Sequence, residues 1–206
     1  MAYRRAFDEV FYRGTIQTVA KLGIEKTRTK HIAEYAGFSE ATMFKMFPSK
    51  EILLRDTFLY LDKKISNMIT QNSYIRNPEK KPFVSGIYDV WFKIYRYLLE
   101  NKEEALFLIR YRYSSLYTEE VIKMRELSDG SYNKVFELLD DQMGKTETEF
   151  KNFLIGYAFD VTLCFIEKII SGKLEDDQKN ESYIWLMVTN TAKSWFGLQE
   201  AAAIQK

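Results

Sequence analysis

The chain has 206 residues, 46% hydrophobic and 29% charged, with a formal net charge of +1; these are the proportions of a soluble globular protein, either one domain or a small domain joined to a larger one. Three prolines and nine glycines are too few for a turn-rich all-β design, no apolar run approaches the ~20 residues that span a bilayer, and the charged stretch MAYRRAFDEVFYR lacks the apolar core of a signal peptide. The single cysteine, Cys164, excludes an intrachain disulfide framework and fits a reducing cytoplasm.

Residues 4–22 read as a helix, because Phe7, Phe11, Gly14, Thr18 and Leu22 recur every three or four residues. Gly14 on that face permits close approach by a neighbouring helix, and Gly23 stops the helix. Thr27 is placed to cap a second helix with Ile32, Ala33 and Ala36 on its inner face, which Gly37 ends in a left-handed turn. Ser39 caps a third helix, with Glu40 in its first turn. Pro48 breaks the chain, and Ser49 caps a long fourth helix carrying Ile52, Leu53, Thr57, Leu61, Ile65 and Met68 at helical spacing. Residues 71–82, QNSYIRNPEKKP, form the clearest loop. Beyond it, 83–100, 103–115, 118–142, 147–171 and 181–199 read as helices, with a break or kink at Ser128-Asp129-Gly130 and a polar linker over 171–180. The expected fold class is all-α with about nine helices. The expected division is a three-helix DNA-binding domain over 1–48 and a larger helical domain over 49–206.

Three positions between Thr27 and Lys50 meet the demands of a helix-turn-helix. Ala33 is the small residue against which the second helix of the motif packs. Four residues on, Gly37 tolerates a positive φ in the turn, and six further on Met43 plugs the second helix into the core. The second helix of such a motif lies in a DNA major groove. Charge agrees: residues 1–55 hold ten Lys/Arg against six Asp/Glu, and the rest hold 20 against 23. A basic head on a mildly acidic body suits a protein that presents one end to phosphates.

Over residues 11–54 the chain resembles the N-terminal domain of TetR/AcrR-family transcriptional regulators. The residues that carry the likeness are Gly23, Thr27, Ile32, Ala33, Ala36, Gly37, Phe38, Ser39, Ala41, Thr42, Phe44, Phe47, Ser49, Lys50, Glu51 and Leu53. The resemblance implies that Thr27, Arg28 and Thr29 open the second helix against phosphate. It implies that Ser39, Glu40, Ala41, Thr42, Phe44 and Lys45 belong to the recognition helix, and that Lys50 contacts phosphate. Three positions depart from the family pattern. Phe44 stands where a tyrosine hydroxyl commonly meets phosphate, Met46 replaces the usual His or Tyr, and Arg28 replaces a common threonine. Phe44 or Met46 then has thymine methyl groups or the sugar edge as its alternative contact. Glu40 has two readings, acceptor from a cytosine amino group or simple partner of the helix dipole.

The body matches that family only in length and helical layout. Aromatic residues crowd its middle, and most are read as core. Trp91, Tyr95, Phe107, Arg110, Tyr111 and Tyr157 are the candidates for a small-molecule pocket suited to an aromatic or amphipathic effector. Arg110 and Arg112 lie on opposite sides of their helix, so at most one faces inward. Phe153, Tyr157, Val161, Phe165, Ile184, Met187, Val188, Thr191 and Trp195 are the candidate dimer interface. Two copies would place two recognition helices roughly 34–36 Å apart, or a multiple, on a pseudo-palindrome. The family resemblance implies a cytoplasmic, ligand-responsive repressor that binds a double-stranded DNA operator as a homodimer. It implies no cofactor and no membrane partner.

Enzyme is the main rival class, and the sequence offers it little. The one histidine, His31, leaves no histidine-rich metal site and reads as solvent-facing. There is no phosphate-cradling glycine loop, no G-x-S-x-G and no Cys–His pair. The other alternative is an all-α dimeric ligand-binding or adaptor protein whose sequence-specific DNA binding is weak or lost.

Overall fold

The computed structural model describes residues 2–128, 131–143, 145 and 147–196, with the side chains of 7–125, 133–141, 145 and 147–190. Among the described residues the chain is all-α, with eleven α-helices, one 3-10 turn and no strand. Compactness groups it into two units, Met1–Lys64 with Asn101–Asp129, and Ile65–Glu100 with Gly130–Lys206. That grouping differs from the functional division expected at residue 48.

The first unit opens with α1 (Ala2–Leu22), α2 (Thr29–Ala36) and α3 (Glu40–Met46). Gly14 is the contact point of α1 and α2: a Cβ there would lie 2.9 Å from the carbonyl oxygen of Ile32. Phe11, Ile32, Ala36, Met43, Phe47 and Leu53 form the core beneath the three helices, and Val10, Tyr12, Phe38 and Met46 pack against it. Gly37 ends α2 with φ 74°. The Phe38 N–H donates to the Ala33 carbonyl at 2.9 Å and the Gly37 N–H to that of Glu34 at 3.1 Å, the paired bonds of a Schellman cap. This turn folds Phe38 back toward α1, where its ring centroid lies 5.4 Å from that of Phe11.

The unit continues through α4 (Lys50–Thr70) as far as Lys64, and takes up α7 (Lys102–Arg112) and α8 (Glu119–Ser128). Ser49 caps α4, its Oγ accepting from the Ile52 N–H at 3.2 Å. Phe58 stacks on Tyr111 with centroids 4.8 Å apart. Arg125 donates to Asp62 at 2.8 Å and Lys64 to Glu104 at 2.9 Å.

The second unit contains α5 (Ser73–Arg76), a 3-10 turn (Pro78–Lys80), α6 (Phe83–Glu100), α9 (Ser131–Met143), α10 (Thr148–Ile170) and α11 (Gln178–Phe196). The stretch expected as a plain loop, 71–82, therefore carries a helical turn. Asn72 caps it by accepting from the Tyr74 N–H at 2.9 Å, and Tyr74 and Ile75 are buried. A tyrosine and an isoleucine that bury themselves drive this structure despite polar neighbours. The expected helix over 118–142 is two helices, α8 ending at Ser128 and α9 starting at Ser131; the intervening Asp129-Gly130 lies outside the described residues.

Candidate nucleic-acid interface

Helix α3 is anchored from one side and open on the other. Ser39 is its N-cap, with Oγ accepting from the Thr42 N–H at 3.1 Å and sharing a 2.9 Å hydrogen bond with the Thr42 hydroxyl. Met43 is fully buried and Phe47 nearly so. Met46, the expected second candidate for thymine contact, packs on the core instead, because it lies three residues beyond Met43 on the same helical face. The outward residues are Ala41, Phe44 and Lys45, with Thr42 and Glu40 half-buried beside them. Phe44 is 46% exposed and presents an apolar ring on that outer face.

The start of α2 is built differently from the sequence expectation. Arg28, not Thr27, holds the N-cap position, with extended backbone and no side-chain cap. Thr27 is 1% exposed, and its hydroxyl donates to the Gly23 carbonyl at 2.6 Å. Its side chain is thus spent on closing the α1–α2 turn and is turned away from any phosphate. Thr29 donates to the Glu40 carboxylate, tying the first residue of α2 to the first residue of α3. Lys50 donates from Nζ to the Thr27 carbonyl at 3.3 Å, which holds its ammonium beside the opening of α2. Exposed Arg28, Lys30 and Lys45 complete the basic set. Uncapped helix-start amides flanked by cations form an anion-binding arrangement. His31 is half-buried rather than solvent-facing, and its Nδ1 is a buried atom without a hydrogen-bond partner.

The six pocket candidates do not share one unit. Phe107, Arg110 and Tyr111 belong to the first, Trp91, Tyr95 and Tyr157 to the second. Phe107 and Tyr111 are buried core rings. Arg110 donates to the Val19 carbonyl of α1, so its guanidinium joins α7 to the head. Arg112 donates to the Tyr117 hydroxyl at 3.0 Å. In the second unit Trp91 and Tyr95 are both buried and stack with centroids 4.9 Å apart, while Tyr157 is half-buried.

The interface candidates divide as well. Phe153 is 63% and Met187 47% exposed; Tyr157, Val161 and Phe165 are half-buried. Ile184 and Val188 point inward, at 1% and 8% exposure, because the inner face of α11 is set by Ile184, Trp185 and Val188. The side chains of Thr191 and Trp195 lie outside those described. Tyr183 and Leu186, absent from the sequence candidates, are exposed beside Met187. With apolar residues at 183–188 on every side, the stripe gives no signal for which face turns out. Among the described residues no group of His, Cys, Asp and Glu is arranged to hold a metal ion, and no helix is long and apolar enough to cross a membrane.

Residues 12–57 match the family model of bacterial regulatory proteins, tetR family. No curated protein matches the sequence. Solved structures do match in fold. A TetR-family transcription regulator from Marinobacter aquaeolei VT8 is 21% identical with a TM-score of 0.72, covering 92% of this chain and 97% of its own. A putative tetR-family regulator from Shewanella sp. PV-4 is 19% identical with a TM-score of 0.73, covering 90% and 97%. Thermus thermophilus FadR, a TetR-family repressor in complex with lauroyl-CoA, is 16% identical with a TM-score of 0.51, covering 77% and 82%.

Proposed function

The chain carries a TetR-family DNA-binding head and has the all-α fold of TetR-family transcription regulators, and from that premise we propose that it is a ligand-responsive repressor that grips a pseudo-palindromic operator as a homodimer. One observation carries the reading. Helix α3 is fixed from beneath by Met43, latched at its start by Thr29–Glu40, and leaves Ala41, Phe44 and Lys45 outward. A rigid helix with a free outer face and flanking cations is what a major groove admits. In this reading Arg28, Thr29, Lys45 and Lys50 meet the phosphate backbone. Thr42 and Phe44 meet base edges, Phe44 through thymine methyl groups. Glu40 serves the latch, and Thr27 supports Lys50 through its carbonyl. The likeness to a FadR that holds lauroyl-CoA supports a small-molecule effector. Helix α4, whose residues are shared between both compact units, is the covalent route by which an effector would reach the head.

The family whose model the head matches supports a non-enzymatic, DNA-binding role in the cytoplasm. Selecting duplexes from a random pool tests the whole reading. A recovered palindrome with thymines under the recognition helix is the expected result. Failure to enrich any sequence, with binding that vanishes above moderate salt, would reduce the protein to a nonspecific DNA binder or an adaptor.

A further inference from the structure

We propose that the second compact unit holds a binding site for a flat, uncharged molecule with hydrogen-bond acceptors, centred on the Tyr95 hydroxyl and the Trp185 indole N–H. The site rests on the reading of the chain as a ligand-responsive regulator and gives its effector a chemistry. Tyr88, Trp91 and Tyr95 lie along one face of α6, three and four residues apart. Trp185 of α11 meets them, its centroid 5.2 Å from Trp91 and 5.2 Å from Tyr88. Four polar tips therefore enter one aromatic cluster. The Trp91 N–H donates to the Thr162 hydroxyl of α10 at 3.0 Å, and the Tyr88 hydroxyl to Glu181 at 2.6 Å. The other two tips, the Tyr95 hydroxyl and Trp185 Nε1, are buried without a hydrogen-bond partner. Tyr95 is 0% and Trp185 5% exposed.

Buried polar groups are paired in nearly all proteins, so two unpaired donors in one cluster call for a partner. Indole N–H only donates, and a phenol donates readily. What completes them is an acceptor such as a carbonyl oxygen. The stacked rings favour a planar partner. Charge disfavours an anion: Glu181, which accepts from the Tyr88 hydroxyl, and Asp176, which pairs with Arg96 at 3.0 Å, place carboxylates about this cluster.

Calorimetry and thermal unfolding of the full chain with three flat probes test the proposal. Coumarin is neutral with acceptors, naphthalene is neutral without them, and 1-naphthoate is an anion. Coumarin is expected to bind and raise Tm, the other two to bind at least ten-fold more weakly. Tyr95→Phe keeps the ring and removes the hydroxyl; it is expected to leave the unliganded Tm equal or higher and weaken coumarin at least five-fold. Trp185→Phe is expected to narrow the preference for coumarin over naphthalene. No coumarin binding, equal binding of all three probes, or a lowered Tm for unliganded Tyr95→Phe, which would show that the hydroxyl already has a partner such as a buried water, overturns the site. Operator-duplex binding on the same samples separates the two readings. Duplex binding without coumarin binding sinks the site and leaves the regulator; coumarin binding without duplex binding keeps the site and sinks the regulator.

Discussion

In the proposed regulator, Lys50 would serve affinity and Thr42 sequence. Lys50 is held beside the opening of α2 by its bond to the Thr27 carbonyl, a place suited to phosphate. Lys50→Ala is expected to weaken binding to all duplexes alike and to reduce the salt slope by about one. Thr42 lies between the Ser39 hydroxyl and the outer face of α3. Thr42→Ala is expected to cost about 1–3 kcal/mol on the selected operator and little on random DNA. Fluorescence anisotropy over a salt series checks both, and unchanged operator affinity in both variants rejects the contact assignment. Partly or fully buried tyrosines, Tyr12, Tyr95 and Tyr111 among them, set an alkaline limit. Burial pushes the phenols of Tyr12, Tyr95 and Tyr111 up to about 12, with nearby carboxylates adding to Tyr12. The folded chain thus holds these protons more tightly than the unfolded chain, whose phenols ionise near 10. The stability they confer is fully present below pH ~10 and is lost as pH rises from about 10 to 12. Denaturant midpoints should fall across that window while tyrosinate absorbance lags that of free tyrosine; a flat midpoint from pH 9 to 12 would contradict it.

Helices α1 and α2 approach so closely that the pair tolerates no side chain at position 14. A Cβ there meets the Ile32 carbonyl at 2.9 Å and the Ala36 nitrogen at 3.1 Å, both backbone atoms that cannot swing aside. Gly14→Ala is expected to destabilise the first unit by about 1–3 kcal/mol, read from denaturant unfolding. It should weaken DNA binding through a displaced α2, because residue 14 packs against the α2 backbone. Periodicity revealed this contact from sequence because Gly14 falls on the stripe of Phe7 and Phe11. The Gly37 turn and the Ser39 cap were legible for the same kind of reason, since each needs a particular backbone state or side-chain oxygen. The buried Thr27 was not legible, since a threonine before a helix reads as a cap whether its hydroxyl turns in or out. Nor was the Thr29–Glu40 latch, which joins residues eleven apart through a turn whose angle no spacing rule supplies. In the body, aromatic rings announced a core but not its grouping. Partners such as Trp185 and Thr162 come from helices far along the chain.

At the scale of the whole molecule, the proposed homodimer gives the exposed apolar side chains of α10 and α11 a use. Phe153, Tyr183, Leu186 and Met187 are 47–63% exposed, and a second copy would cover them by a symmetric interface. Leu186→Asp with Met187→Asp is expected to convert a dimer to a monomer in sedimentation and to abolish two-site binding on a palindrome, leaving weak half-site binding. A variant that sediments as the native chain does would move the interface elsewhere. The first compact unit, meanwhile, is assembled from two stretches separated by residues 65–100. Arg110 reaches the end of α1, and Tyr111 stacks under Phe58. The segment that matches the regulator family, 12–57, shares this unit with α7 and α8. During synthesis α7 and α8 emerge after the segment that they join in this unit. Nascent chains released at successive lengths should acquire protease resistance in residues 7–64 only once α8 is out.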